Sequence, residues 1–192
     1  MVRFVFVVLM SLAASSPAMR GAVEFSGYIL TGKTSWFLLS DPDKKTPTAS
    51  IEVGHAYEGY VLSAYDSRTD EIRLQPQAGG NGTREMKLKL SAGAPRVVLS
   101  GAIDVGGDKI EVVRALFPIG EHTRIPLREG LVFSFRPTLA QDGSMKYAVM
   151  LEKYAKDGRK EVLSGPLVRV APGTPFEGKV GDLQYRFRPQ AP

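Results

Sequence analysis

The sequence predicts an all-β protein, and two observations support this prediction. The chain contains 20 glycines and 13 prolines, spaced so that few windows can hold a helix of more than a few turns. Between these turn residues, short runs rich in β-branched and aromatic residues recur along the chain, as is typical of strands. The predicted architecture is a small bent antiparallel sheet or barrel, followed by a β-sandwich-like domain.

Residues 1–18 are predicted to be a signal peptide that is cleaved on export. Arg3 gives a positive start, 4–14 is apolar, and small residues precede a cleavage point at Met19. The apolar run is shorter than the roughly 20 residues that cross a bilayer, and a retained anchor is the alternative. The expected location is therefore the periplasm or cell envelope.

Composition limits the classes of protein to consider. The chain has no cysteine, which excludes disulfides, thiolate metal sites and a lipidated N-terminal cysteine. Its net charge is +5, which favours an acidic partner surface or an anionic envelope polymer. Because Lys and Arg are spread without a dense cluster, nucleic acid is not an expected partner.

Residues 19–92 are predicted to form a small β-barrel-like domain of about six strands. Its first strand has two alternating sets of residues, each expected on its own face. One set is Phe25, Gly27 and Ile29, and the other is Glu24, Ser26 and Tyr28. The further predicted strands are 35–40, 49–53, 58–64, 71–75 and 83–90. A short linker at 91–95 is expected to separate this domain from the next.

Residues 93–192 are predicted to form a β-sandwich-like domain of about seven strands. The clearest predicted strands are 96–103, 109–116, 131–136, 145–154, 159–163, 167–170 and 183–188. Two turns, Asp142-Gly143 and Asp157-Gly158, are expected to join three of these strands in a meander. A helix competes only at 145–156, where glycine and proline are missing, but the apolar residues there keep a period of two and favour a strand.

Gly27, Gly32, Lys33 and Thr34 fit the spacing of a phosphate-binding loop. Such a loop needs a buried strand before the first glycine, a free loop between the glycines and a helix that starts at the lysine. Here 28–31 is typical of a strand interior, and 35–40 is aromatic and β-prone. The sequence therefore predicts a hairpin turn at 31–34 and no nucleotide as ligand.

Other residues with chemical potential are expected to have structural roles. The two histidines, His55 and His122, lie close to turn glycines and are expected to be solvated. Two pairs of aspartates are expected to cap turns rather than bind calcium: Asp41 with Asp43, and Asp104 with Asp108. No catalytic residue, metal ligand or cofactor is predicted, and a hydrolase is the least favoured alternative.

Five aromatic residues offer an alternative function in glycan recognition. They are Trp36, Phe37, Tyr57, Tyr60 and Tyr65. Exposed together, their rings would form a platform on which sugars stack. In a small β-domain such residues more often belong to the core, which is the favoured interpretation.

Five segments in residues 24–91 carry a family resemblance. They are Phe25-Ser-Gly-Tyr-Ile-Leu, Ser35-Trp-Phe-Leu-Leu-Ser, Ile51-Glu-Val-Gly-His-Ala-Tyr-Glu-Gly-Tyr-Val-Leu, Glu71-Ile-Arg-Leu and Met86-Lys-Leu-Lys-Leu. In this order they resemble the periplasmic β-domain shared by the clamp protein of type II secretion systems and the pilot-type lipoprotein of type IV pilus assembly. Ile72 stands where that pattern has valine, and residues 93–192 resemble no named module.

The resemblance implies a binding module that docks on the periplasmic N-domains of a secretin, with its first strand in the contact. Carried over to this chain, the expected partner interface is Glu24, Ser26 and Tyr28. The expected function is thus an exported, non-catalytic envelope protein that serves as a binding or assembly module of a secretin-based system. A glycan-binding module of the envelope is the alternative.

Overall fold

The computed structural model describes residues 23–41, 48–79, 84–92, 95–128, 130–155, 157, 159–165 and 167–190. The predicted signal peptide, Asp43 and Gly158 lie outside the described residues. The described part of the chain consists of β-strands and their connections without a helix, which confirms the all-β prediction. Within it, no helix has the length and apolar character needed to cross a membrane.

The described residues form sixteen strands. They are β1 (Glu24–Thr31), β2 (Ser35–Ser40), β3 (Ala49–Glu52), β4 (Ala56–Tyr57), β5 (Tyr60–Asp66), β6 (Glu71–Pro76), β7 (Met86–Lys89), β8 (Arg96–Val105), β9 (Asp108–Pro118), β10 (Thr123–Arg128), β11 (Leu131–Leu139), β12 (Met145–Tyr154), β13 (Lys160–Ser164), β14 (Val168–Val170), β15 (Phe176–Val180) and β16 (Leu183–Gln190).

The largest sheet has seven strands in the order β15-β16-β8-β9-β1-β2-β3. Strand β1 lies inside this sheet and pairs antiparallel with both β2 and β9. Because β9 follows the predicted linker, backbone pairing joins the two predicted domains in one sheet. The division of the chain at residues 92 and 93 stays a prediction.

A five-stranded sheet packs against one face of the seven-stranded sheet. Its order is β10-β11-β12-β13, and β14 also pairs with β12. Aromatic rings fill the space between the sheets, and those of Tyr147 and Phe176 stack with centroids 3.9 Å apart. Each such buried side chain contributes about 1.5–3 kcal/mol through removal of apolar surface from water. The two sheets form the sandwich that the sequence predicts for its second part.

A four-stranded sheet, β4-β5-β6-β7, packs against the other face of the seven-stranded sheet, and the second hydrophobic core lies between them. Strand β2 shows how the seven-stranded sheet serves both cores: Trp36 and Leu38 belong to the sandwich core, whereas Phe37 and Leu39 belong to the second. A strand buried on both faces has a continuous apolar run, as β2 does. The four-stranded sheet is open, so of the two predicted forms the sheet is present and the barrel is not.

A β-bulge at Ser26 changes the phase of β1. Phe25 pairs with Leu39 and Gly27 pairs with Leu38, so Ser26 is an extra residue opposite β2. A bulge of this kind places two residues of one strand opposite one of its partner and shifts the alternation of faces.

The bulge overturns the predicted faces of β1. Phe25 and Tyr28 share the second core, whereas Ile29 lies in the sandwich core. Ser26 is 2% exposed and Tyr28 is 4% exposed, and only Glu24 is exposed as expected. The expectation that Glu24, Ser26 and Tyr28 form one outward face is therefore wrong.

Candidate binding cleft at the end of the sandwich

The apparent phosphate loop is the turn of the β1–β2 hairpin, as predicted. The Thr31 amide donates to the Thr34 carbonyl at 3.0 Å. The Thr31 hydroxyl accepts hydrogen bonds from the amides of Lys33, at 3.2 Å, and Thr34, at 2.9 Å. These amides already have an acceptor within the turn, and strand β2 begins where a phosphate loop requires a helix.

A cleft of about 840 Å³ lies against this turn. Four parts of the chain line it: the turn 31–34, residues 105–111 around the β8–β9 turn, residues 126–128 of β10, and the two side chains Trp36 and Glu52. Pockets of roughly 300–1,000 Å³ are typical for small ligands and for anchoring groups of larger ones. The cleft is the candidate functional site.

The cleft lies where the edge strands β3 and β10 diverge. Thr48, just before β3, forms an isolated parallel bridge with Thr123 of β10, and the Ser50 hydroxyl of β3 donates to the Arg124 carbonyl of β10. Further along, Pro126 lacks the amide that a strand partner would need. Beyond these contacts the two edges frame the cleft.

The cleft carries unpaired charges of both signs. Asp108 and Arg128 form an ion pair at 3.2 Å, but Lys33, Lys109 and Glu111 are exposed and have no ion pair among the described residues. These exposed groups are hydrated and screened by salt. Their charges act at long range on charged molecules in solution and are not held in a fixed contact.

Glu52 differs from the other charged residues of the cleft because it is half-buried. It lies opposite Trp36 on the neighbouring strand, on the face of the sheet that contributes to the sandwich core. Within the described part of the chain its carboxylate has no ion-pair partner. Glu52 is therefore a partly desolvated acceptor in the cleft wall.

Trp36 forms part of the same wall. Its side chain is 5% exposed, and its buried indole Nε1 donates to no acceptor among the described residues. The chain contains one tryptophan, so the intrinsic tryptophan fluorescence comes from a side chain that lies between the cleft and the sandwich core.

The five predicted platform aromatics do not form an exposed array. Trp36 and Phe37 are buried in different cores. Tyr57, Tyr60 and Tyr65 are half-buried and pack against the second core. This placement agrees with the favoured interpretation of these residues as core.

The predicted turn residues are mostly where the sequence places them. His55 is exposed, as expected, but His122 is half-buried, and burial lowers its pKa. Asp104 caps its turn by accepting from the Gly107 amide at 2.9 Å. Asp41 is buried. The described residues contain no group of three or more potential metal-ligating side chains.

A second polar cluster surrounds Glu152 on the outer face of the five-stranded sheet. The carboxylate accepts hydrogen bonds from Arg124 at 2.5 Å, Tyr154 at 2.7 Å and Ser134 at 3.3 Å, and it lies 3.2 Å from the Lys160 ammonium. Burial raises the pKa of Glu152, but the hydrogen bonds outweigh burial and lower this pKa to about 2. These partners lie on β10, β11, β12 and β13, so the cluster connects four neighbouring strands of this sheet.

The sequence pattern does not predict the cleft. It places Glu52 in a strand, where Glu52 and Glu58 flank His55 and suggest at most a metal or His-carboxylate site, and it predicts no strand over residues 126–128. The pattern that pairs Glu52 with Trp36 depends on the register of β2 and β3, which follows from the connection between them and not from composition.

The fold and the cleft define an all-β sandwich protein with an additional sheet and a cleft of mixed charge. Comparisons with protein-family models, with curated proteins and with solved structures give no significant match to this chain.

Proposed function

We propose that the chain is an exported, non-catalytic binding module of the cell envelope, which contacts a partner protein of a secretin-based secretion or pilus system. The observation that supports binding best is the cleft between β3 and β10, whose lining combines unpaired charges of both signs with apolar side chains. The resemblance of residues 24–91 to secretion clamp and pilot-type domains suggests the class of partner.

The chemistry of the cleft suits a protein segment. Ile110 and Leu127 offer apolar area beside the buried Trp36, and the exposed charges of the cleft provide orientation and selectivity through complementarity. The lining residues lie on strands and tight turns of a rigid sandwich, which lowers the entropic cost of binding.

The experiment is crosslinking capture with the mature, tagged chain in detergent-solubilised envelope. The expected result is recovery of a secretin or a pilus assembly component. Recovery of neither after crosslinking would count against the proposal. A saturable change of Trp36 fluorescence with cell-wall oligosaccharides, together with failed protein capture, would favour the alternative of glycan binding.

Export is a separate part of the proposal. Residues 1–18 have the pattern of a signal peptide, and the exported protein is expected to start at Met19. Mass spectrometry of the periplasmic fraction checks this N-terminus. An intact Met1 on protein confined to the cytoplasm would contradict export.

A further inference from the structure

We infer that the cleft takes one basic side chain, a lysine or arginine, from an extended segment of the partner, with its cationic group at Glu52. This inference rests on the proposed binding function and names the chemistry that the cleft selects. The inference is based on two observations, the cleft itself and the unpaired Glu52 carboxylate in its lining.

Glu52 is the carboxylate of the cleft best placed to hold a cation. Its carboxylate is half-buried beside Trp36, and an ion pair formed there is less exposed to solvent and salt than one formed by the exposed charges of the cleft. The exposed Glu111 keeps its water and gains little from an ion pair. Asp108 already has Arg128 as a partner.

The walls next to Glu52 suit the apolar stem of a basic side chain. Pro126, Leu127 and Ile110 line the same cleft, and the methylene groups of lysine or arginine pack on such surfaces while the charged head remains in a polar site. A neutral side chain of the same length would fill the space but leave Glu52 unpaired.

The margin of the cleft limits the ligand to a segment of low positive charge. Lys33 and Lys109 lie at the margin without ion-pair partners among the described residues. They repel a ligand with several cations and attract acidic groups that flank a single one. The fitting sequence is one basic residue between neutral or acidic neighbours.

Titrations followed by Trp36 fluorescence test the inference. The probes are three blocked alanine hexapeptides in which one central residue is lysine, norleucine or glutamate. The lysine peptide is expected to change the emission saturably, and more tightly at low salt because ion pairs are screened by salt. An equal response to norleucine, no response to lysine, or binding independent of salt would overturn the inference.

Glu52→Gln and Glu161→Gln form a matched pair of variants, because Glu161 is exposed on β13 and does not line the cleft. Glu52→Gln is expected to weaken binding of the lysine peptide by about tenfold or more, since it removes a charged partner, whereas Glu161→Gln is expected to bind like the natural chain. Thermal unfolding checks that each variant is folded. If Glu52→Gln does not fold, Glu52→Asp keeps the charge, and unchanged affinity with the shortened side chain would contradict the contact.

Capture from the envelope separates this inference from the proposed function. If the natural chain recovers a secretin or pilus component and folded Glu52→Gln recovers it equally, the function stands and the role of Glu52 is wrong. If the lysine peptide binds at Glu52 but no such component is captured, the cleft chemistry stands and the proposed partner class is wrong.

Discussion

Arg96 donates a hydrogen bond from its Nε to the carbonyl of Ser26, at 3.0 Å. Ser26 is the extra residue of the bulge in β1, and the Arg96 guanidinium also bonds to the Ser91 carbonyl and hydroxyl. One side chain thus connects the bulge, the segment after β7 and the start of β8. Arg96 thereby stabilises the bulge, and the bulge places the Tyr28 side chain in the second core.

Replacing Arg96 tests the importance of this contact for stability. We expect Arg96→Met to lower the free energy of unfolding by about 1–3 kcal/mol, because it leaves the Ser26 carbonyl without its donor. Arg188→Met is the control on exposed β16 surface, with an expected change within about 0.5 kcal/mol. Denaturant unfolding measures both, and equal effects would contradict a specific role for Arg96.

The two glycines of the apparent phosphate loop are expected to differ. A Cβ at Gly27 would collide with the Leu116 carbonyl oxygen, whereas a Cβ at Gly32 meets nothing within 4 Å. We expect Gly27→Ala to cost about 1–3 kcal/mol or more and Gly32→Ala to change stability by less than about 0.5 kcal/mol. A phosphate loop would require both glycines for ligand binding, so saturable nucleotide binding that Gly32→Ala abolishes would refute the hairpin interpretation.

Much of the fold was predictable because local pattern and tertiary environment agree. Strands β2 and β12 have the predicted bounds, Ser35–Ser40 and Met145–Tyr154. Period-two alternation excluded a helix at β12, where it outweighed the absence of glycine and proline. In these two strands the sequence alone was sufficient to predict both the type of element and its bounds.

The missed elements have identifiable physical causes. Strand β10 contains Pro126, which suggests a break but is compatible with an edge strand. Strand β15 has Gly178 in its middle, where a Cβ would collide with the ring of Tyr185. The bulge at Ser26 inserts one residue without a sequence pattern, so the change of face within β1 could not be predicted. The pairing of β1 with β9 joins distant parts of the chain and has no local sequence pattern either.

The bulge changes how the predicted interface must be tested. Tyr28→Ala removes a buried ring and is expected to cost about 3–5 kcal/mol, so loss of partner capture by this variant would reflect unfolding. Glu24→Lys changes an exposed residue and is expected to leave stability within about 0.5 kcal/mol. Circular dichroism with thermal unfolding checks both. A Tyr28→Ala variant as stable as the natural chain would contradict the buried position.

Glu152 is expected to make stability depend on acid pH. Its pKa falls from an ordinary value of 4.5 to about 2 in the folded protein. The group therefore stabilises the fold fully above its unfolded pKa, and this contribution is lost as the pH falls through the folded pKa. Glu152→Gln is expected to cost about 1–3 kcal/mol at neutral pH, with a difference from the natural chain that shrinks between about pH 4.5 and pH 2.

Denaturant unfolding of both proteins across this pH range measures that difference. Glu161→Gln on neighbouring β13 is the control, because Glu161 is exposed. A constant difference between Glu152→Gln and the natural chain from neutral pH to pH 2 would contradict the proposed protonation.

The central claim is that a partner binds at the cleft between β3 and β10, and site-specific photo-crosslinking tests it most directly. A photoreactive side chain replaces Lys33 at the margin of the cleft or, as control, the exposed Leu139. Leu131 is the first residue of β11 and Leu139 the last, so the two residues lie about 26 Å apart along the strand at the usual rise per residue. We expect a secretin or pilus component to crosslink from position 33 and not from position 139; crosslinks from 139 alone, or equally from both, would contradict binding at the cleft.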